Sequence, residues 1–294
     1  LESIALGRLP HALLFTGPEG IGKRRVAESL AQALLCSSAA DQPCGICGPC
    51  RLAAEGKHPD RIVVEAEGER IKIDRIRELI HELTFSPLMG AVRVVLIPEA
   101  HAFHPAAANA LLKTLEEPPA GTYFLLVTHS PGWIPRTIVS RCSLVRFRPL
   151  SRSDLQEILQ EQGVSADPEL LDWAMGSARR ALTLSEVRPT IPPLDRLRDL
   201  RSPYSAEQAY QFSQAVAEED KIESVLQALL SEAHQALTAS GLNPPSEESR
   251  FDLLCFTDKI LEMRRRLKLN INVKIALNRL LLFFRESPAS RLQI

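Results

Sequence analysis

From Ala12 to Leu35 a strand pattern, a glycine loop and a helical stripe follow one another directly, and few folds accommodate that order. The apolar run Ala12-Leu13-Leu14-Phe15-Thr16 reads as a buried strand. Gly17-Pro18-Glu19-Gly20-Ile21-Gly22-Lys23 then fits the phosphate-loop pattern GxxxxGK. Arg24 to Leu35 continues with Val26, Leu30, Ala33 and Leu34 at helical spacing. Glycines at 17, 20 and 22 let backbone N–H groups converge on phosphate oxygens at a helix N-terminus, where Lys23 would neutralise charge. Such a unit opens a βαβ succession, so strands and helices are expected to keep alternating.

They do. Arg61-Ile62-Val63-Val64, residues 93–97, Tyr123 to Thr128 and Leu144 to Phe147 read as strands. Ile73 to Phe85 carries a helical stripe at Ile73, Ile76, Leu79, Ile80 and Leu83. A helix over 106–117 starts after Pro105 and stops at Pro118-Pro119. The pattern predicts an α/β domain with a doubly wound, mainly parallel sheet. After Pro149 the character changes: Ser151 is placed to cap a helix, and helical patterns run to about Val187. Four prolines between Arg188 and Pro203 read as a linker, and amphipathic helices follow from Tyr204, broken near Gly241 to Pro245. Three domains are expected: α/β over 1–150, a small helical domain over 151–203, and a helical bundle over 204–294.

Composition narrows the function classes. The 35 basic and 36 acidic side chains leave a net charge of −1, which argues against a free-standing nucleic-acid binder with a broad cationic face. No stretch has the length of a membrane span and no signal peptide is visible, so a cytoplasmic protein without a membrane partner is expected. The chain opens on Leu1 rather than methionine, which leaves a preceding segment open.

Against the glycine loop stand two substitutions. Arg24 occupies the position of the Ser or Thr that ligates Mg²⁺, and a guanidinium offers no lone pair. Val94-Val95-Leu96-Ile97 ends in Pro98-Glu99, where an ATPase strand would present an Asp to the metal. Together they predict that the chain does not hydrolyse ATP by itself. Metal-independent nucleotide binding stays open, as does a folded relic of such a site.

Cys36, Cys44, Cys47 and Cys50 form the second strong signal. Four thiolates in one short segment can wrap a tetrahedral Zn²⁺, and Gly45 and Gly48 permit the turns. Disulfides suit an oxidising compartment, and an iron–sulfur cluster usually draws its fourth cysteine from downstream rather than upstream. A closed, structural zinc site is the reading preferred here. Cys142 and Cys255 lie outside it, and Cys255 is expected to be an apolar packing residue.

Four further features bear on function. Arg141, in Ser140-Arg141-Cys142, is either a surface ion-pair former or an arginine that reaches a neighbour's γ-phosphate. Arg179, in Gly176-Ser177-Ala178-Arg179-Arg180, either faces the phosphate loop or is a solvated helix terminus. Glu116 and Glu117 sit in the last helical turn, where the dipole disfavours carboxylates, which implies a basic partner. The run Arg264-Arg265-Arg266-Leu267-Lys268 reads as a solvated face balanced by Glu262 in preference to a DNA contact.

GPEGIGK at 17–23, the four-cysteine insertion, ANALLKTLEEPP at 108–119 and SRC at 140–142 resemble the delta-prime subunits of bacterial DNA polymerase III clamp loaders, within the AAA+ superfamily. The resemblance is dense over the first domain, extends through GSARRAL at 176–182, and covers the bundle only by helical pattern. It implies an AAA+ P-loop domain, a helical lid and a helical collar through which subunits assemble. It further implies partners: the tau/gamma ATPase subunits and delta, with the sliding clamp and primed DNA reached through the complex. In that setting Arg141 matches the arginine that completes an adjacent ATP site, and the subunit is a stator that does not hydrolyse ATP. Motor subunits share the cysteines, LLKTLEEPP and SRC, so Arg24 and Pro98 are what separate the roles. Two other readings remain: an active ATPase in which Glu99 ligates the metal, and a zinc-dependent DNA-binding module.

Overall fold

The computed structural model describes residues 9–38, 43–187, 207, 210, 213–214, 216, 219–238, 247–267 and 273–281. They divide into two compact units, Leu1–Pro149 and Leu150–Ile294.

In the first unit β1 (Ala12–Thr16), β2 (Arg61–Val63), β3 (Arg93–Ile97), β4 (Thr122–Thr128) and β5 (Ser143–Arg146) form one sheet in the order β2-β3-β4-β1-β5. Every pairing is parallel, with Leu14 opposite Leu126 on one side and Leu144 on the other. The intervening helices are α1 (Lys23–Leu35), α2 (Gly48–Ala54), α3 (Ile73–Glu82), α4 (Pro105–Glu116) and the four-residue α5 (Arg136–Val139). This is the expected α/β architecture with a parallel sheet.

Alternation along each strand decides what packs where. Leu13, Phe15, Val94, Leu96, Leu125 and Val127 meet Ala27, Ala31 and Leu35 of α1. Their neighbours Leu14, Val95, Ile97, Phe124 and Leu126 point the other way and pack on α3, α4 and α5 through Ile76, Leu79, Leu111, Leu115 and Ile138. Small residues on α1 let it lie close over the sheet, which fixes the phosphate loop at the C-terminal end of β1, between β4 and β5.

Two of the expected boundaries that move bear on the packing. The helical stripe to Phe85 ends as a helix at Glu82, because Arg93 draws the carbonyls of Glu82, Phe85 and Ser86 onto its guanidinium, at 2.9, 3.0 and 3.0 Å. The strand expected over 61–64 is assigned to Val63, although Val64 is buried and still donates to the Leu96 carbonyl at 2.9 Å.

The second unit is helical: α6 (Arg152–Glu161), α7 (Pro168–Ala174), α8 (Ala178–Val187), α9 (Glu219–Thr238), α10 (Glu247–Leu267) and α11 (Val273–Leu281), with no strand among its described residues. Ser151 caps α6 as expected, its Oγ accepting from the Asp154 N–H at 3.1 Å. Leu155, Trp173, Leu184, Leu226, Phe256 and Leu277 belong to one buried cluster, with Cys255 packed against it. The expected linker over 188–203, the boundary at 203/204 and the break at 241–245 lie outside the described residues.

Candidate functional site

The C-terminal ends of β1, β3 and β4 lie side by side, and the glycine loop, Glu99 and Thr128-His129 are carried there. Parallel α/β sheets bind ligands in that crevice. Gly17 adopts φ +149°, and a Cβ there would stand 2.5 Å from the Phe147 carbonyl oxygen, so the loop passes β5's exit with room for hydrogen only. Gly22, at φ +91°, is the left-handed residue from which α1 starts.

Lys23 is 6% exposed, and its Nζ donates to the Pro18 carbonyl across the loop. Burial pulls its pKa below the ordinary lysine value, with Glu19 opposing the shift. The predicted loop cation is therefore in place. Arg24 is not turned to any acceptor of the loop: its Nε donates to Glu28 at 3.0 Å and its Nη2 to Glu65 at 3.1 Å. Two acids thus occupy the guanidinium that stands at the hydroxyl position. Pro98 is buried, and Glu99 after it is exposed.

A pair of histidines at this site carried no motif. The His101 and His129 rings meet edge to face with centroids 4.2 Å apart. Burial lowers the His101 pKa, and His129 and Lys23 push it the same way against Glu99 and Glu19. Both histidines follow strand ends that are neighbours only in the folded sheet, so spacing along the chain could not have paired them.

The four cysteines of the insertion converge. Their sulfurs all lie within 4.8 Å of one another, with Cys36 to Cys47 at 3.9 Å and Cys44 to Cys50 at 4.0 Å. A tetrahedron with metal–sulfur bonds of about 2.3 Å has edges of roughly 3.8 Å, so the donor set fits Zn²⁺. The separations are far beyond a disulfide bond of about 2.05 Å. Backbone N–H groups of Ser38, Cys47 and Cys50 point at the sulfurs of Cys36, Cys44 and Cys47, each at 3.4 Å, as thiolates require. Hydrogen bonds from Ser37 pull the Cys47 thiol down to about 5, whereas burial pushes Cys50 up to about 12. With four sulfur ligands the site is closed to substrate, and the metal's contribution would be to hold α2 and its flanking turns. Cys142 is partly buried against the sheet core, and burial raises its pKa to about 11, which makes it a packing thiol.

Arg141 follows α5 and stays on the surface. Its Nε donates to Glu116 Oε1 at 2.7 Å, its Nη2 reaches the same oxygen, and its Nη1 donates to the Thr137 carbonyl at 2.9 Å. Glu116, last residue of α4, thus has the basic partner that its position called for. Arg179 lies in the first turn of α8, in the second unit. In the basic run on α10, Arg266 pairs with Glu262 and Arg264 with Glu223, as expected of a balanced surface.

Among known proteins, residues 1–151 match the family described as DNA polymerase III, delta subunit. The chain is 46% identical over 182 residues to DNA polymerase III subunit delta' of Pseudomonas aeruginosa, covering 59% of this chain and 55% of that one. It is 37% identical over 164 residues to the delta' subunit of Bacillus subtilis, covering 56% and 50%. It is also 39% identical over 194 residues to subunit tau of Salmonella typhimurium, covering 63% of this chain and 30% of tau. The matches thus span about half of the delta' relatives and less than a third of tau. By its glycine-loop unit, its sheet and the match over its first 151 residues, the chain belongs to the DNA polymerase III delta-subunit family.

Proposed function

We propose that this chain is a non-hydrolysing subunit of a DNA polymerase III clamp loader, of the delta' type, working in the cytoplasm. It assembles with tau/gamma ATPase subunits and delta, and through the complex acts on the sliding clamp and primed DNA. Residues 151–203 serve as the lid and 204–294 as the collar of that assembly. Gly17, Gly20, Gly22 and Lys23 form a degenerate nucleotide site, Cys36, Cys44, Cys47 and Cys50 hold a structural zinc, and Arg141 serves the ATP of a neighbour.

The observation that carries this reading is the pairing of Arg24 with Glu28 and Glu65. A magnesium site needs an oxygen donor next to the loop lysine, and here a cation stands there, itself committed to two carboxylates. The exposed Trp133 supports a subunit contact, since it sits on the same β4–β5 connection as Arg141 and aromatic residues are enriched at interfaces. An active motor is the second reading. It is favoured by the similarity to tau and by an exposed Glu99 beside the loop, where the carboxylate could take a metal. Mg-ATP hydrolysis by the purified chain separates the two. The stator reading expects a rate at background; steady turnover that Lys23→Ala abolishes would assign the motor role.

A further inference from the structure

Glu116 and Arg141 come from different connections of the first unit, 25 residues apart, and meet at its surface. A guanidinium has five N–H groups in a fixed plane. Four are engaged here. Nε and Nη2 both converge on Glu116 Oε1, and Nη1 is shared between the Thr137 carbonyl at 2.9 Å and Ser140 Oγ at 3.4 Å. One N–H of Nη2 is left over. The four contacts fix the plane of the guanidinium as well as its position, although the side chain keeps 28% of its surface in solvent.

The anchoring elements are themselves rigid. Leu111 and Leu115 of α4 are fully buried, as is Ile138 of α5, so the carboxylate and the backbone acceptors are mounted on the sheet core. Ser140 is in turn held by its own hydroxyl, which donates to the Thr137 carbonyl at 3.1 Å. A long cationic side chain on an exposed turn would otherwise sample many rotamers and lose that freedom on meeting an anion. Helix dipoles disfavour a carboxylate at the C-terminal end of α4, so Glu116 stands at a locally unfavourable position that the arginine offsets.

We propose that Glu116 is the positioning residue for Arg141, holding the guanidinium in the orientation in which it meets the γ-phosphate of a neighbouring subunit. The inference rests on the in-trans role given to Arg141 above. Glu116 does not touch the nucleotide. It acts through the arginine: with Nε and Nη2 bonded to its Oε1, the guanidinium keeps its plane while Nη2 retains one N–H for the phosphate.

The test uses the assembled complex with tau/gamma ATPase subunits and delta, and compares Glu116→Ala, Glu116→Gln, Arg141→Ala and the double variant Glu116→Ala/Arg141→Ala. Assembly is verified by size-exclusion chromatography. Relative to the unaltered complex, Glu116→Ala is expected to lower kcat at the served site about tenfold with KM for ATP unchanged, the worth of one charge-assisted hydrogen bond. Glu116→Gln, which keeps an acceptor, should lose less. In the Arg141→Ala background the second substitution should change nothing further. Three results would overturn the proposal: no loss in Glu116→Ala when Arg141→Ala does lower turnover, a gain in turnover on removing the carboxylate, or an equal further loss in the double variant. If Arg141→Ala alone leaves turnover intact, the in-trans role itself fails, and that outcome is distinct from the other three.

Discussion

Asp60 is fully buried, and its two oxygens accept from the backbone N–H groups of Leu88 at 2.7 Å and Met89 at 2.8 Å. Arg93, 5% exposed, stands 3.6 Å away and binds the last carbonyl of α3 and two carbonyls of the same loop. His58 accepts from the Asp60 N–H at 3.1 Å, and burial keeps its imidazole below its usual pKa, so that it accepts as a neutral base. These charges are a single connector between the turn before β2 and the loop before β3. Removing one side of a buried pair strands the other, so Asp60→Ala should cost about 3–5 kcal/mol, read as a lower midpoint in denaturant unfolding. A change below 1 kcal/mol would mean that water replaces the carboxylate. Nothing in the sequence marks Asp60, because its partners lie 28 to 33 positions further on and only the pairing of β2 with β3 unites them. Glu116 was legible as a residue in need of a cation, since helix dipoles can be read from a boundary; the identity of that cation could not be. The His101–His129 pair carried no sequence signal at all.

At the scale of elements, the insertion between α1 and β2 has the thinnest support. Its helix α2 has seven residues, too short to persist alone, and contributes Cys50 and Ala53 as buried side chains. Its start is capped by the Cys47 sulfur, and its Cys50 carbonyl accepts from Gln32 of α1 at 3.0 Å. Chelating the proposed zinc is therefore expected to loosen α2 and its flanking turns and leave the parallel sheet standing: limited proteolysis should nick this segment first, while far-UV circular dichroism changes little. Cleavage elsewhere in the sheet at the same rate would contradict it. Binding also has a proton balance. Cys47, at about 5, is already a thiolate near neutrality, whereas Cys50, at about 12, must lose a proton to ligate. Zinc affinity should thus weaken as pH falls from 8 to 6, with protons released on uptake; a pH-independent affinity would exclude thiolate ligation. Strand positions were legible because a parallel sheet buried on both faces demands apolar runs, and α1 was legible from its glycine loop. The end of α3 was not, because a long-range arginine decides it.

For the whole molecule, two compact units carry separate cores, and Lys23 and Arg141, the residues proposed to act on nucleotide, both lie in the first. The net charge of −1 and the paired arginines of α10 leave no broad cationic face among the described residues of that helix, in keeping with the proposal that DNA is met through other subunits. Among the described residues no helix is long and apolar enough to cross a membrane. Arg141→Ala should leave folding and assembly intact and lower turnover at the served site by roughly 10³-fold or more, the range known for such arginines. Unchanged turnover in the reconstituted complex would show that Arg141 is an ordinary surface ion pair with Glu116.

The loop clasped by Asp60 and Arg93 presents Phe85, Leu88 and Met89 outward, the middle one 77% exposed. Every bond that holds it runs to main-chain atoms. Its outline is consequently set by main-chain bonding: mutation can repaint the tip at Leu88 without removing a clasp, and selection can act on that small apolar face while the frame beneath it is kept.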